Sequence, residues 1–216
     1  VLANCPVGKN QIIFIENHDI DRYASVEPNK DKQKVAASLM LLIGGVPSIY
    51  YGQEIGMLGK NGNWGGTDGN DIPRRTAFKW NKSYTDKGMA TWYRSVNATW
   101  NNDNLKVNDD ISLASQINDS SSLFSHYKKM IQLKQSHPAL AKGTYTNLPN
   151  NNDKVYSFTR TYNGQKVIVV VNLSNEPQVA TFETVNVKSV PLYGKVKFNN
   201  NTLQLTPYAL AVFEVK

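Results

Sequence analysis

The chain has 216 residues, of which 40% are hydrophobic and 10% aromatic, and this composition is enough to bury a core and argues against an intrinsically disordered chain. The net charge of +7 arises from 24 scattered basic residues that form no stripe of the kind that nucleic-acid-binding proteins carry. One cysteine, Cys5, excludes an internal disulfide framework, and no apolar run reaches the roughly 18 residues of a membrane span.

The first predicted element is a strand that runs from Gln11 into the stretch FIENHD at residues 14–19. A continuous apolar run is typical of a strand buried on both faces in a parallel sheet. Parallel α/β barrels collect their ligand-binding groups where the strands end. Asn17, His18 and Asp19 are therefore candidate site residues. The alternative is a strand that stops at a turn, in which Asn and Asp bond the local backbone.

A helix is predicted next, from Asp31 to the glycine pair at residues 44–45. Its apolar residues recur at helical spacing: Val35, Leu39, Leu42 and Ile43. The short β-prone run from Val46 to Tyr51 follows. Strand, helix and strand in this order predict a parallel βαβ unit with a right-handed crossover.

The long segment from Gly52 to Asp119 separates this unit from the next clear helix. Loops of such length in compact domains are uncommon and usually functional. Within this long segment, the pattern of residues 88–96 predicts a short amphipathic helix. A longer helix is predicted from the serines at 120–122, which offer N-caps, to Pro138, which stops it.

The character of the chain changes after Leu140, where β-prone runs alternate with turn residues. Four strands are predicted, at residues 155–162, 166–174, 179–183 and 208–215. Asn163-Gly164 between the first two is a strong hairpin signal. We therefore predict an antiparallel β-sandwich, and we place the domain boundary between residues 1–140 and residues 141–216.

Three segments carry a resemblance to a known family: FIENHD at 14–19, GVPSIYYGQEIGM at 45–57 and DIPRRTAFKW at 71–80. In this order they resemble the C-terminal part of the α-amylase family of glycoside hydrolases. The resemblance implies an α/β part followed by an all-β part: the last two βα units of a (β/α)8 TIM barrel, then an antiparallel β-sandwich. It also implies a retaining hydrolase of α-glucans such as starch or maltooligosaccharides.

The resemblance also implies roles for the residues at the end of the first strand. Asp19 matches the carboxylate that stabilises the transition state through hydrogen bonds to the sugar, and His18 matches a residue that donates to the same sugar. Asn17 is expected to orient its neighbours. Arg22 is expected at the substrate too, either paired with Asp19 or on the leaving-group side.

The nucleophile and the acid/base of the family match no residue here, because they belong to segments that would precede Val1. Glu16 and Glu54 are poor substitutes, since the chemistry needs a matched carboxylate pair. We therefore expect an N-terminal part of the barrel to be missing and the 216-residue chain alone to be inactive. The exposed edge of the first strand is expected to bind that missing part or a second copy of the chain.

Three residues of the long segment are further candidates for sugar contacts: Trp64, Arg74 and Arg75. Trp64 can equally be a core residue, and the two arginines can hold the loop through ion pairs. His126 and His137 are interpreted as packed or surface residues. An exo-acting α-glucosidase, an oligo-1,6-glucosidase and a non-catalytic carbohydrate-binding relative remain alternatives.

The expected partners are an α-glucan or maltooligosaccharide and the missing part of the barrel, with no nucleic acid and no membrane span. No metal-ligand spacing identifies a cofactor, and any calcium site is expected upstream of Val1. The sequence does not define the compartment, although a secreted or periplasmic enzyme is favoured over a cytoplasmic one.

Overall fold

The computed structural model describes residues 5–6, 9–92, 109–183, 191–194, 196 and 198–215. The chain divides into two compact units. Unit 1 comprises residues 1–13, 35–47 and 129–216, and unit 2 comprises residues 14–34 and 48–128. The domain boundary predicted between residues 140 and 141 does not coincide with these divisions and stays a prediction.

The α-helices are α1 Tyr23–Val26, α2 Lys30–Leu42, α3 Leu113–Gln116, α4 Leu123–Ser136 and α5 Pro138–Lys142. Both long helices start at a polar side chain. Asn29 Oδ1 accepts from the N–H groups of Asp31 and Lys32 at the start of α2, and Ser122 Oγ accepts from the N–H of Ser125 in α4. These bonds satisfy N–H groups that have no partner inside the helix. The two predicted helices are thus confirmed.

A pair of parallel strands, β1 Ile12–Ile13 and β2 Val46–Pro47, belongs to unit 1. The predicted parallel strand–helix–strand order is confirmed, with α2 between the strands. The prediction of a first strand buried on both faces is wrong for this structure, since Ile12 is 62% exposed. The reason is that β1 pairs only with β2 in the part of the chain described here.

The remaining strands of unit 1 are β3 Thr144–Asn147, β4 Val155–Tyr162, β5 Gln165–Asn172, β6 Gln178–Thr181, β7 Pro191–Tyr193, β8 Phe198–Asn199, β9 Thr202–Leu205 and β10 Leu210–Val215. They form a five-stranded sheet in the order β3-β4-β5-β10-β7 and a three-stranded sheet in the order β6-β9-β8. The described pairings within both sheets are antiparallel. Short strands such as β3 and β8 were not predicted.

The predicted hairpin is confirmed by the turn at Asn163 and Gly164, where φ is 46° and 84°. Tyr162 pairs with Gln165 across it, and this two-residue connection with both φ values positive matches the right-handed twist of the strands.

Inward-facing side chains from both sheets form one apolar core: Leu148, Val155, Ile168, Val170, Ala180, Phe182, Leu203, Leu205, Ala211 and Phe213. Burial of each large member contributes about 1.5–3 kcal/mol to folding. This core joins the two sheets of unit 1.

Unit 2 is built largely from connecting segments, with the 3₁₀ helices Gln53–Ile55 and Asp68–Arg74 among them. Ile55 and Met57 are fully buried there. The helix predicted at 88–96 is not found over residues 88–92, and residues 93–96 lie outside the described part. No helix of the described residues is long and apolar enough to cross a membrane.

Candidate active site

Asn17 shapes the turn that follows β1 in the chain. Its Oδ1 accepts from the backbone N–H of Asp19 at 2.8 Å and from that of Ile20 at 3.2 Å. Such side-chain bonds to nearby backbone are typical of Asn in turns. These bonds fit both the expected orienting role of Asn17, which stays a prediction, and the alternative of a simple turn, and they commit its amide oxygen to the backbone.

The side chains of His18 and Asp19 lie on the surface of unit 2, with exposed fractions of 60% and 62%. His18 Nε2 is 3.3 Å from Asp19 Oδ1, and Arg75 Nη2 is 3.1 Å from the same oxygen. Among the described residues, Asp19 Oδ2 has no hydrogen bond or ion pair. The carboxylate is thus held through one oxygen, while the other has no partner among the described residues.

Arg74 and Arg75 come from the end of a 3₁₀ helix in the long segment and hold the turn from the other side. Arg74 Nη1 donates to the backbone oxygen of Asp19 at 2.6 Å, and Arg75 Nε donates to that of His18 at 3.1 Å. Asp71 forms ion pairs with both arginines, at 2.6 Å to Arg75. The interpretation that these arginines hold the loop through ion pairs is confirmed, and both lie at the predicted site.

Arg22 does not have the place that was predicted for it. Its guanidinium is fully buried, forms an ion pair with Glu16 at 3.3 Å and donates to the backbone oxygens of Tyr51 at 2.8 Å and Arg74 at 3.0 Å. The predicted pairing with Asp19 is wrong for this structure, whereas the role of Arg22 in substrate binding stays a prediction. Glu16, 2% exposed, outcompetes the exposed Asp19 because a buried cation needs a buried counter-charge.

Two tyrosine rings complete the surroundings of Arg22. Its Cζ atom lies 4.5 Å from the ring centre of Tyr50 and 4.9 Å from that of Tyr51, within the range of cation–π attraction. Tyr51 also donates its hydroxyl to the backbone oxygen of Thr76 at 2.7 Å. This bond links Tyr51, which follows β2, to Thr76, which follows the 3₁₀ helix Asp68–Arg74. Arg22 lies where these two segments meet.

Burial dominates the electrostatics of the two glutamates that were considered as substitutes. It raises the pKa of Glu16 to about 7, against the opposing effects of the Tyr23 N–H, which donates at 2.7 Å, and of Arg22. Burial also raises the pKa of Glu54. Glu16 is confirmed as a structural residue, because both of its oxygens are used to hold Arg22 and the start of α1.

The hydrogen bonds given for Trp64, His126 and His137 are to residues outside the turn. Trp64 is half-buried within its own loop, where its backbone N–H donates to Asn70 Oδ1 at 2.8 Å and its ring packs against Gly62. His126 is buried with Nε2 3.0 Å from the Lys34 oxygen, and His137 bonds the Leu133 oxygen through Nδ1. The interpretation of both histidines as packed or surface residues is confirmed.

Asp71 and Asp21 are the acidic residues of this site that sequence reasoning missed. Asp21 Oδ1 accepts from the Asn61 N–H at 2.7 Å and lies 4.0 Å from Arg74 Nη1. Asp71 precedes its partners by three and four residues, a spacing that brings opposite charges together on one helical face. That spacing was the available signal for Asp71. Within the described residues no group of three or more His, Cys, Asp or Glu is arranged to hold a metal ion.

Comparison with known proteins decides the family. The profile described as "Alpha amylase, catalytic domain" matches residues 1–143, and that of the "Alpha-amylase SusG C-terminal domain" matches residues 155–212. The chain belongs to the α-amylase family. Its fold is accordingly the last part of a TIM barrel followed by an antiparallel β-sandwich.

Several curated relatives are similar over most of this chain. Alpha-amylase 3 of Dictyoglomus thermophilum is 27% identical over 94% of the chain, Alpha-glucosidase of Apis mellifera 29% over 85%, and Alpha-amylase SusG of Bacteroides thetaiotaomicron 28% over 93%. Further relatives are named Oligo-1,6-glucosidase. The chain spans 38%, 33% and 28% of the length of the first three, so it corresponds to about a third of such proteins.

Solved structures agree with this assignment. Eubacterium rectale Amy13B has a TM-score of 0.77 at 26% identity, covering 98% of this chain and 40% of its own. The α-amylase from H. orenii has a TM-score of 0.76 at 24% identity, covering 95% of this chain and 40% of its own, and it supports the fold alone. The family and fold inferred from the three sequence motifs are confirmed.

Proposed function

We propose that this chain is the C-terminal part of a retaining α-glucan hydrolase that acts on starch or maltooligosaccharides. The observation that carries the proposal is the exposed carboxylate of Asp19, with one oxygen held by Arg75 beside His18 and the other without a partner among the described residues. Membership of the α-amylase family and the names of the amylase relatives support it.

The proposed role of Asp19 is to stabilise the transition state. As the sugar ring distorts toward an oxocarbenium ion, hydrogen bonds from its hydroxyls to Asp19 strengthen, which lowers the barrier instead of only holding the substrate. His18 donates to the same sugar. The nucleophile and the acid/base, which double displacement also needs, are expected in residues upstream of Val1, together with any calcium site.

The test is the substitution Asp19→Asn in the longer protein that contains this chain. Turnover of soluble starch should fall at least about 100-fold, because charged hydrogen bonds weighted toward the transition state are lost. The matched control is Asp68→Asn, an exposed carboxylate of the same unit, which should leave turnover unchanged. Near-wild-type turnover of the Asp19 variant, with an unchanged melting temperature, would refute the assignment.

An exo-acting α-glucosidase or oligo-1,6-glucosidase is the second candidate, favoured by the relatives of those names and by the motif at residues 71–80. Product analysis separates the candidates: an endo-acting amylase releases a mixture of oligosaccharides from starch, whereas the exo-acting enzymes release glucose and the 1,6-specific one cleaves isomaltose. A longer protein that binds maltooligosaccharides but cleaves neither substrate would be the non-catalytic relative.

A further inference from the structure

A cavity of about 320 Å³ in unit 1 is lined by ten residues, which include two cationic residues, two amide residues and three glycines. Lys9, Asn10 and Gln11 line it from the segment that leads into β1, Thr144 lines it from β3, and Arg160 lines it from β4. The residues described around this cavity include no Asp or Glu. It is distinct from the site around Asp19, which belongs to unit 2.

Arg160 is a buried cation that lacks a full counter-charge in the described part of the chain. Its side chain is almost entirely inside, with 3% of the residue exposed. Nη1 donates to the backbone oxygen of Ile43 and Nη2 to that of Gly143 at 2.6 Å, while Nε has no hydrogen-bond partner among the described residues. Carbonyl dipoles supply only partial negative charge, so the guanidinium remains undercompensated.

A second cation, Lys134, is half-buried and adds positive charge near Arg160. Lys134 Nζ donates to the backbone oxygens of Leu41 at 2.9 Å and Leu140 at 3.5 Å, and burial together with the charge of Arg160 lowers its pKa to about 8. Strand register places the carboxylate of Glu214 on the same face of the sheet, two strands from Arg160, which is about 10 Å at the usual spacing. Glu214 accepts from Gln165 Nε2, and among the described residues no ion pair joins it to Arg160 or Lys134.

We propose that this cavity binds a small oxyanion, with carboxylate or phosphate chemistry, that pairs with the guanidinium of Arg160. A guanidinium has five N–H donors, and the two carbonyl bonds leave a second N–H on each of Nη1 and Nη2 for such an ion. Lys9 and the amide groups of Asn10 and Gln11 supply additional donors. The volume is about ten times that of one water molecule in the liquid, so an ion with several oxygens fits.

The oxyanion has two chemical sources, which the experiment distinguishes. One is a free ion such as inorganic phosphate, and the other is a carboxylate side chain from residues outside this chain in the longer protein. Both the 216-residue chain and the longer protein are titrated with inorganic phosphate at constant ionic strength, balanced with sodium chloride. Calorimetry gives the dissociation constant, and far-ultraviolet circular dichroism gives the melting temperature of the β-rich unit 1.

Phosphate is expected to bind the 216-residue chain and raise its melting temperature. Arg160→Gln should weaken binding at least about tenfold, since it removes a charge-assisted partner, and Lys9→Ala, at an exposed position where folding is not at risk, should weaken it by less. Lys154→Ala is the control, because this exposed lysine of unit 1 lies outside the cavity. Arg160→Lys should retain part of the binding, since it keeps the positive charge but loses the planar guanidinium that can donate two parallel hydrogen bonds.

A response to phosphate in both proteins identifies a free ion. A response in the 216-residue chain but not in the longer protein identifies a carboxylate that already occupies the cavity there. The proposal is overturned if phosphate does not bind the 216-residue chain, or if wild type and the Lys9 and Arg160 variants bind it equally.

Discussion

Removal of the buried guanidinium of Arg22 should destabilise unit 2 strongly and in a pH-dependent way. In Arg22→Met the ion pair with Glu16, two hydrogen bonds to backbone oxygens and the contacts with two tyrosine rings are lost. Glu16 is then left as an unpaired carboxyl group that is 2% exposed. Breaking a buried pair by removing one partner costs about 3–5 kcal/mol, which we expect where Glu16 is ionised.

The pH dependence follows from the raised pKa of Glu16. Because this pKa is about 7 in the folded chain and 4.5 as the ordinary value, the folded state binds the proton more tightly. The free energy of unfolding therefore falls as the pH rises from about 4.5 to about 7, by up to about 3 kcal/mol. Without Arg22 the pKa rises further, so the loss continues at higher pH. The variant should lose about 3–5 kcal/mol at pH 8 but only about 1–3 kcal/mol at pH 5, where Glu16 is neutral in both proteins.

Tryptophan fluorescence during urea unfolding measures this effect selectively, because all four tryptophans belong to the range of unit 2: Trp64, Trp80, Trp92 and Trp100. Lys60→Met is the control, since Lys60 is exposed in the same unit and should change the unfolding free energy by less than about 0.5 kcal/mol. Adding Glu16→Gln to Arg22→Met should recover part of the loss at pH 8. A loss below about 1 kcal/mol at pH 8, or equal losses at the two pH values, would refute the reasoning.

Three further predictions concern other parts of the chain. Gly45→Ala should destabilise unit 1 by at least about 2 kcal/mol, because φ is +67° and a Cβ atom would lie 2.6 Å from the backbone oxygen of Gln11. Gly164→Ala is the control: φ is +84° but the space around it is open, so the cost should be about 1 kcal/mol. Thermal melts followed by circular dichroism measure both. Asp71→Asn should cost about 1–2 kcal/mol in urea unfolding, since its two arginine partners lose their shared carboxylate, and Asp68→Asn should cost less than about 0.5 kcal/mol. The purified 216-residue chain should release no reducing sugar from starch; turnover at an enzymatic rate, free of contaminants, would contradict the upstream position proposed for the nucleophile and the acid/base.

The elements that sequence reasoning predicted well are those whose signals are local. The helix from Lys30 to Leu42 has an Asn cap, apolar spacing and closing glycines, and the hairpin at Asn163 and Gly164 has its turn residues. The burial of the first strand could not be predicted, because burial depends on which other segments pack against the strand, and a short apolar run does not identify them. Strands as short as β8, with two residues, have too few side chains to show the alternation of apolar and polar residues that predicts a strand.

The candidate site was only partly predictable for the same reason. Asp19 and His18 were found by their position after a strand, and Arg74 and Arg75 by the motif around them. The partner of Arg22 was missed because four carboxylates lie within six residues of it in the sequence, and only burial distinguishes Glu16 from the other three. Glu16 is inside and Asp19 outside, a difference that depends on the direction in which each side chain leaves the backbone.

That difference separates two kinds of residue at this site. Arg22 donates to the backbone oxygen of Arg74, and Arg74 donates to the backbone oxygen of Asp19, so a buried ion pair is linked to an exposed carboxylate through two main-chain contacts. Groups that must act on a substrate need to be held without being occupied. Substitution of Arg22 should therefore appear first as lost stability, whereas Asp19→Asn should leave stability almost unchanged and affect the proposed reaction alone.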